Sequence, residues 1–284
     1  MLYLLSFLSL VPAESGRLAS LNDYLYQAIN GLAGRSWVFD NLMNLPLESN
    51  LVKAALIGAC FMFVWLSGAD EMETVRRRRI LLITLMATFF VIATTKTLSK
   101  TIFLPRPFIQ SQKTFHLEGE QLVESPRLEY RVPLDKENQK NFKAMERGEI
   151  IQNDLGSFPS DHAGFYMTLA VGILLACRSV GLIALFWTLF IVLGSRVLTG
   201  QHSPLDIVVG SGIGIGILLA MQFIIGNWGK RLLDPVVNWT LKNSALACSV
   251  MFIFIFEAGN TLQGLRHLLK TLAEIGKYLI RGQA

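Results

Sequence analysis

The feature that most constrains this chain is a recurring apolar stretch almost free of charge, found at Leu51–Ser67, Ile80–Thr95, Gly164–Cys177, Val180–Leu193, Asp206–Ile225 and Ala245–Phe256. A chain with 52% hydrophobic residues and a mean hydropathy of +0.44 is too apolar for an ordinary water-surrounded domain. Hydrocarbon offers the backbone no hydrogen-bond partners, so each stretch is expected to satisfy its own as a helix. The expected fold is all-α, a polytopic membrane bundle of about six helices with interfacial amphipathic helices at both ends. Leu51–Ser67 is short for a bilayer unless it begins near Pro46, and Ala245–Phe256 is shorter still.

The rest of the chain divides around these spans. Residues 1–45 form an interfacial N-terminal segment, in which 21–32 alternates apolar and polar residues at helical period. Met1–Val11 has no basic flank and reads as a retained segment rather than a removable signal. Residues 46–226 form the membrane core, interrupted by a polar extramembrane insertion over 109–157, and 227–284 form a C-terminal extension with one short span and an amphipathic helix over 262–280. Gly210, Gly212, Gly214 and Gly216 follow no strand and sit among apolar residues, so close helix packing at Gly210/Gly214 and Gly212/Gly216 is expected rather than a nucleotide loop. Cys60, Cys177 and Cys248 show neither metal-ligand spacing nor a disulfide pattern.

The net charge of +5 implies no nucleic-acid partner, because the basic residues sit at segment ends. Arg76–Arg79, Arg178 and Lys230–Arg231 fall on one side, which the positive-inside rule makes cytoplasmic. The basic C-terminal helix falls on the opposite side and runs against this assignment.

Three constellations stand at segment ends on the other side. Ser195-Arg196 is followed after five residues by His202 and after three more by Asp206. If Pro204 opens the next helix, His202 and Asp206 lie close to one face, and Asp206 can accept the proton of one ring nitrogen while the other attacks. Pro159-Ser160-Asp161-His162 offers a hydroxyl, a second histidine and the N–H groups of a helix N-terminus suited to an anion. Pro105-Arg106-Pro107 adds a second guanidinium. A transporter or scaffold is the competing class, but its charges would be expected near mid-span rather than gathered at one face.

In these residues the chain resembles the type 2 phosphatidic acid phosphatase family of integral-membrane, metal-independent enzymes, over roughly residues 20–226. The third motif is matched in full by Ser195, Arg196, His202 and Asp206; the second carries Asp161 in its glycine slot. The first matches at Arg106 and Pro107, but Ser99 occupies the lysine slot and Lys100 comes one position late, rotated by about 100°.

The resemblance implies lipid-phosphate hydrolysis through a phosphohistidine, without metal or cofactor. His202 is the expected nucleophile, steadied by Asp206, and His162 the expected general acid and base. Arg106, Arg196, Ser160, Lys100 and the backbone near Asp161 are expected to bind the phosphate. The motif variants are most similar to the bacitracin-resistance type of undecaprenyl diphosphatase, at the outer face of a bacterial plasma membrane; phosphatidylglycerophosphate, phosphatidate and lipid A phosphates are the alternative substrates.

Overall fold

The computed structural model describes residues 17–111, 115–118, 121–124, 130–131, 136–147, 156–227 and 229–258. The retained N-terminal stretch and the amphipathic helix expected over 262–280 lie outside the described residues. The chain is an all-α, polytopic helical protein whose only strands among the described residues form one small hairpin in the insertion. Phe115–Glu118 pairs antiparallel with Gln121–Glu124 there, Phe115 opposite Glu124.

Three described helices are long and apolar enough to cross a membrane: Glu71–Thr101, Arg178–Leu198 and Pro204–Gly226. Counting each of two broken pairs as one span raises the number to five, and Asp161–Ala176 is a shorter apolar helix. The extension of the first span toward Pro46 takes the form of two helices, Trp37–Glu48 and Asn50–Leu66, separated at Ser49. Ser49 caps the second, its hydroxyl accepting from Val52 N at 3.4 Å, which satisfies an N–H that the helix itself leaves unpaired. In the last pair, the expected short span over 245–256 is Ser244–Ala258, which meets the preceding helix at 109°.

The chain forms two compact units. One takes in residues 49–90, 165–189 and 214–284. In it Trp65, Val64, Leu81, Ala87 and Ile173 are fully buried. The four arginines read as an orientation signal also hold helix ends there. Arg76 Nη2 donates to Ala176 O at 2.9 Å, Arg77 pairs with Glu73 at 2.6 Å, and Arg79 pairs with Asp234 at 2.5 Å.

Arg78 is 5% exposed; it donates to Thr240 O at 2.8 Å and Trp65 O at 3.3 Å, with its guanidinium 5.0 Å from the Trp65 ring centre. Removing it strands two buried carbonyls. Arg78→Ala is therefore expected to destabilise the protein by about 2–4 kcal/mol. A lowered thermal unfolding midpoint in detergent, with Arg78→Lys recovering only part, is the measurement that checks it.

The other unit takes in residues 1–48, 91–164 and 190–213 and contains all three motifs. Its N-terminal helix, Arg17–Asn30, does more than lie amphipathically at an interface. Asn22, Tyr26 and Asn30 share one face at spacings of four and dock on the loop of the third motif. Asn22 Oδ1 accepts from Leu205 N at 2.9 Å, capping the Pro204 helix, and Asn30 Nδ2 donates to Leu198 O at 2.8 Å, closing the helix before the loop. Tyr26 is buried between them beside Gly200.

The insertion also contacts this helix and the residues that follow it. Tyr130 packs on Tyr26 with ring centres 4.0 Å apart and donates to Asp23 at 2.9 Å; Arg131 donates to Ala33 O at 2.5 Å, and Lys136 pairs with Glu48 at 3.1 Å.

Candidate active site

The three motifs are stitched together mainly by their backbones. Ser157 N donates to Leu104 O at 2.8 Å, joining the approach to the second motif to the first. Phe108 N donates to Gly200 O at 3.1 Å, joining first to third, and Ser160 N donates to Asp206 O at 3.2 Å, joining second to third. Gly200 adopts φ +72°, where a side chain is strained, and a Cβ there would stand 2.8 Å from the Tyr26 hydroxyl oxygen.

Gly210 is as constrained by space. A Cβ would lie 2.3 Å from Ser160 O and 3.2 Å from Ala163 Cβ, so the Pro204 helix can approach the second motif only through a glycine. Gly164 provides the reciprocal surface, with a Cβ position 3.2 Å from Gly210 O. The expected packing role holds for Gly210 but not for Gly212 or Gly216, which have nothing within 4 Å.

Arg196 closes the span Arg178–Leu198, which passes through a seven-residue π-helical stretch, Trp187–Leu193. The wider π turns shift the phase of the final turn, and Ser195 and Arg196 end up buried. The chain then doubles back, Gln201 N and His202 N both donating to Arg196 O at 2.9 and 3.2 Å. Arg106 is half-buried; its Nε donates to Gly156 O at 3.2 Å and its Nη1 to the fully buried side chain of Gln201. The Arg106 guanidinium is thus held by a backbone carbonyl and a buried amide rather than left on a mobile stem.

His202 is 4% exposed, and the partner of its Nδ1 departs from expectation. Nδ1 lies 2.9 Å from Ser157 O, which can only accept, so this nitrogen carries the proton and Nε2 carries the lone pair. Asp206 Oδ2 stands 3.8 Å from Nδ1, a charge contact rather than a hydrogen bond. That oxygen instead accepts from Ser203 N at 2.7 Å, while Ser203 Oγ accepts from Asp206 N at 3.3 Å. Ser203 and Asp206 form a reciprocal cap at the start of the Pro204 helix, a role of the carboxylate that the motif alone did not reveal. Burial pushes the His202 pKa below its ordinary value, with Arg106 and Arg196 adding to the effect and Asp206 opposing it. The ring is therefore neutral near pH 7.

Asp161 corrects a second expectation. The N–H groups at the start of its helix are already engaged: His162 N donates to Asp161 Oδ1 at 2.8 Å, Ala163 N to Ser160 Oγ at 3.3 Å and Gly164 N to Ser160 O at 3.1 Å. Of the N–H groups expected to face an anion, those of His162 and Ala163 thus already have acceptors within the motif. The Asp161 carboxylate, itself an anion, pairs with His162 Nδ1 at 2.8 Å and with Lys96 Nζ at 2.6 Å. Lys96 is thus the lysine brought to the second motif, whereas Lys100 is exposed in the last turn of its helix.

One ligand-type atom from each of Asp161, His162 and His202 lies within 4.8 Å of the others, so the two histidines, forty residues apart in the chain, converge. These are donor types that also bind transition metals, but both Asp161 oxygens are already committed to Lys96 and His162. Ser157, Gln201 and Lys96 are the neighbours that sequence reasoning missed. Gln201 lies inside the third motif's spacer, and Lys96 shares nearly one helix face with Ser99 in the empty lysine slot; Ser157 contributes only a carbonyl, for which no side-chain signal exists.

No curated protein and no solved structure matches the chain. Residues 78–229 match the PAP2 superfamily, more than half of the length and a stretch that contains all three motifs. With Arg106 and Arg196 near His202 and His202 close to His162 at the ends of apolar helices, that match settles the family: the chain belongs to the PAP2 superfamily and is an integral-membrane phosphatase.

Proposed function

We propose that the protein hydrolyses a lipid-anchored diphosphate by two displacements at His202, and that its substrate is undecaprenyl diphosphate. The observation that carries the reading is the convergence of His162 and His202, each with Nδ1 tied to an acceptor. That arrangement supports Nε2 of both rings as the reacting atoms.

In the first step His202 Nε2 attacks phosphorus, the bond to the leaving oxygen breaks, and protonated His162 delivers its Nε2 proton to that oxygen. In the second, His162 takes a proton from water, the water oxygen attacks phosphorus, and the P–N bond breaks to release phosphate and restore His202. Arg106, Arg196 and the Ser160 hydroxyl hold the phosphoryl oxygens and the charge that gathers on them. Asp206, 3.8 Å from the ring, stabilises the positive charge His202 acquires. No step calls on a metal.

The position of these groups supports a lipid substrate. His162, Asp206 and Arg196 lie in terminal turns of apolar helices, where a lipid headgroup reaches the site while its chain stays in the bilayer. The basic cluster Arg76–Arg79, at the other end of the helix that leads to the first motif, supports an outward-facing site. The Pro-Arg-Pro-Phe and Phe-Pro-Ser-Asp-His variants favour the diphosphate carrier within the family resemblance.

Phosphate release by the purified full-length protein from undecaprenyl diphosphate, phosphatidylglycerophosphate and lipid A, in one preparation with chelator present, tests the assignment. Clear preference for undecaprenyl diphosphate is expected. Preference for either other lipid defeats the substrate assignment, and loss of all activity with chelator defeats the metal-independent chemistry.

A further inference from the structure

We infer that Lys96, Asp161 and His162 form a positioning relay: Asp161 orients His162 for proton transfer, and Lys96 orients Asp161, supplying at one remove the lysine that the first motif lacks. The relay rests on the reading of His162 as the acid of a phosphohistidine mechanism.

Two departures from the family pattern meet here. Ser99 fills the lysine slot, and the glycine of the second motif is Asp161. Lys96, three positions before Ser99, stands about 60° from it around the helix, and Lys100, one position after, about 100° from it on the same side. The structure joins the displaced lysine to the added carboxylate at 2.6 Å. The other Asp161 oxygen takes both the ring contact from His162 Nδ1 and the backbone N–H of His162, each at 2.8 Å, which fixes the imidazole relative to its own main chain.

Each member has a physical task. A carboxylate on Nδ1 holds the tautomer in which Nε2 is the nitrogen that gives and takes the catalytic proton, and the Nδ1 proton stays on the ring throughout. Alone, that carboxylate would repel an anionic substrate. Lys96 offsets its charge and restrains the rotation that would otherwise let Oδ1 leave the ring. The pair is only half in solvent, the Lys96 side chain 48% and the Asp161 side chain 16% exposed, so solvent screening limits what it adds to stability. A purely structural pair would therefore leave catalysis untouched.

The test is a double-mutant cycle on the full-length protein with Lys96→Ala, Asp161→Gly and the double variant, assayed on a lipid diphosphate and on the chain-matched monophosphate. An alkoxide leaving group needs the acid more than a phosphate does. Each single variant should lower kcat on the monophosphate at least about tenfold more than on the diphosphate, with little change in KM. The double variant should be no worse than Asp161→Gly, and Lys96→Arg should restore most activity.

Equal losses on both substrates, a loss confined to KM, or an undiminished cost of Lys96→Ala in the Asp161→Gly background would overturn the relay. Trapping the phosphoenzyme on the wild-type protein separates the two levels. If phosphate is trapped on His202 but the variants behave additively, the relay alone fails; if none is trapped, the underlying mechanism fails with it.

Discussion

His202→Ala is expected to lower turnover by at least about 10⁴-fold, to the level that phosphate binding alone can support. The residue is buried, its Nδ1 proton is held by Ser157 O, and its Nε2 lone pair is the proposed nucleophile. Asp206→Asn should cost much less, about 10²–10³-fold. Where an aspartate alone fixes the tautomer, the same change costs roughly 10⁴-fold. Here Ser157 fixes it, and an asparagine oxygen can still accept from Ser203 N.

The pH profile of kcat/KM follows from the same environment. A ring whose pKa is held down by burial stays neutral to lower pH, so the acid limb belonging to His202 should fall below pH ~6.5. Asp206→Asn removes the one neighbour that opposes this shift and should move the limb lower still. Steady-state rates for the three proteins across the pH range check both points.

Gly210→Ala should also be damaging, although glycine has no chemistry to lose. The new methyl would press on Ser160 O from 2.3 Å, and backbone cannot yield as a flexible side chain does. What must move is the Ser160–Asp206 junction that holds the second motif against the third, and with it the separation of His162 from His202. A displacement of about 1 Å costs roughly 10²-fold in rate, so kcat is expected to fall by at least that much. Gly212→Ala, with nothing within 4 Å of its Cβ position, should leave both rate and stability unchanged. Parallel assays of the two variants, with unfolding midpoints, separate the local contact from a general intolerance of the helix.

Those two glycines also show what the sequence could and could not convey. Alternating glycines in an apolar helix announce packing, but which of them faces a neighbour depends on helix rotation: Gly210 has no room for a side chain, whereas Gly212 and Gly216 do. The third motif was legible because its spacing is itself helical geometry: four residues carry His202 and Asp206 to one face. The use of Asp206 as a helix cap is equally present in Ser203-Pro204-Leu205-Asp206, where a serine stands three residues before a carboxylate. Asn22, Tyr26 and Asn30 looked like the polar side of an interfacial helix because sequence does not distinguish a face turned to water from one turned to a catalytic loop. Arg78 looked like a membrane-orientation charge and is also a buried cross-link. Lys96 was passed over because motif counting fixes a position, whereas a lysine one turn earlier on nearly the same face reaches the second motif.

The central claim, a phosphohistidine on His202, is tested most directly by rapid quench of the full-length enzyme with ³²P-labelled lipid diphosphate, followed by peptide mapping of the trapped label. The account predicts acid-labile, base-stable phosphate on the peptide containing His202, and none in His202→Ala. Label on Ser160, or a burst of phosphate release with no phosphoenzyme, would contradict it.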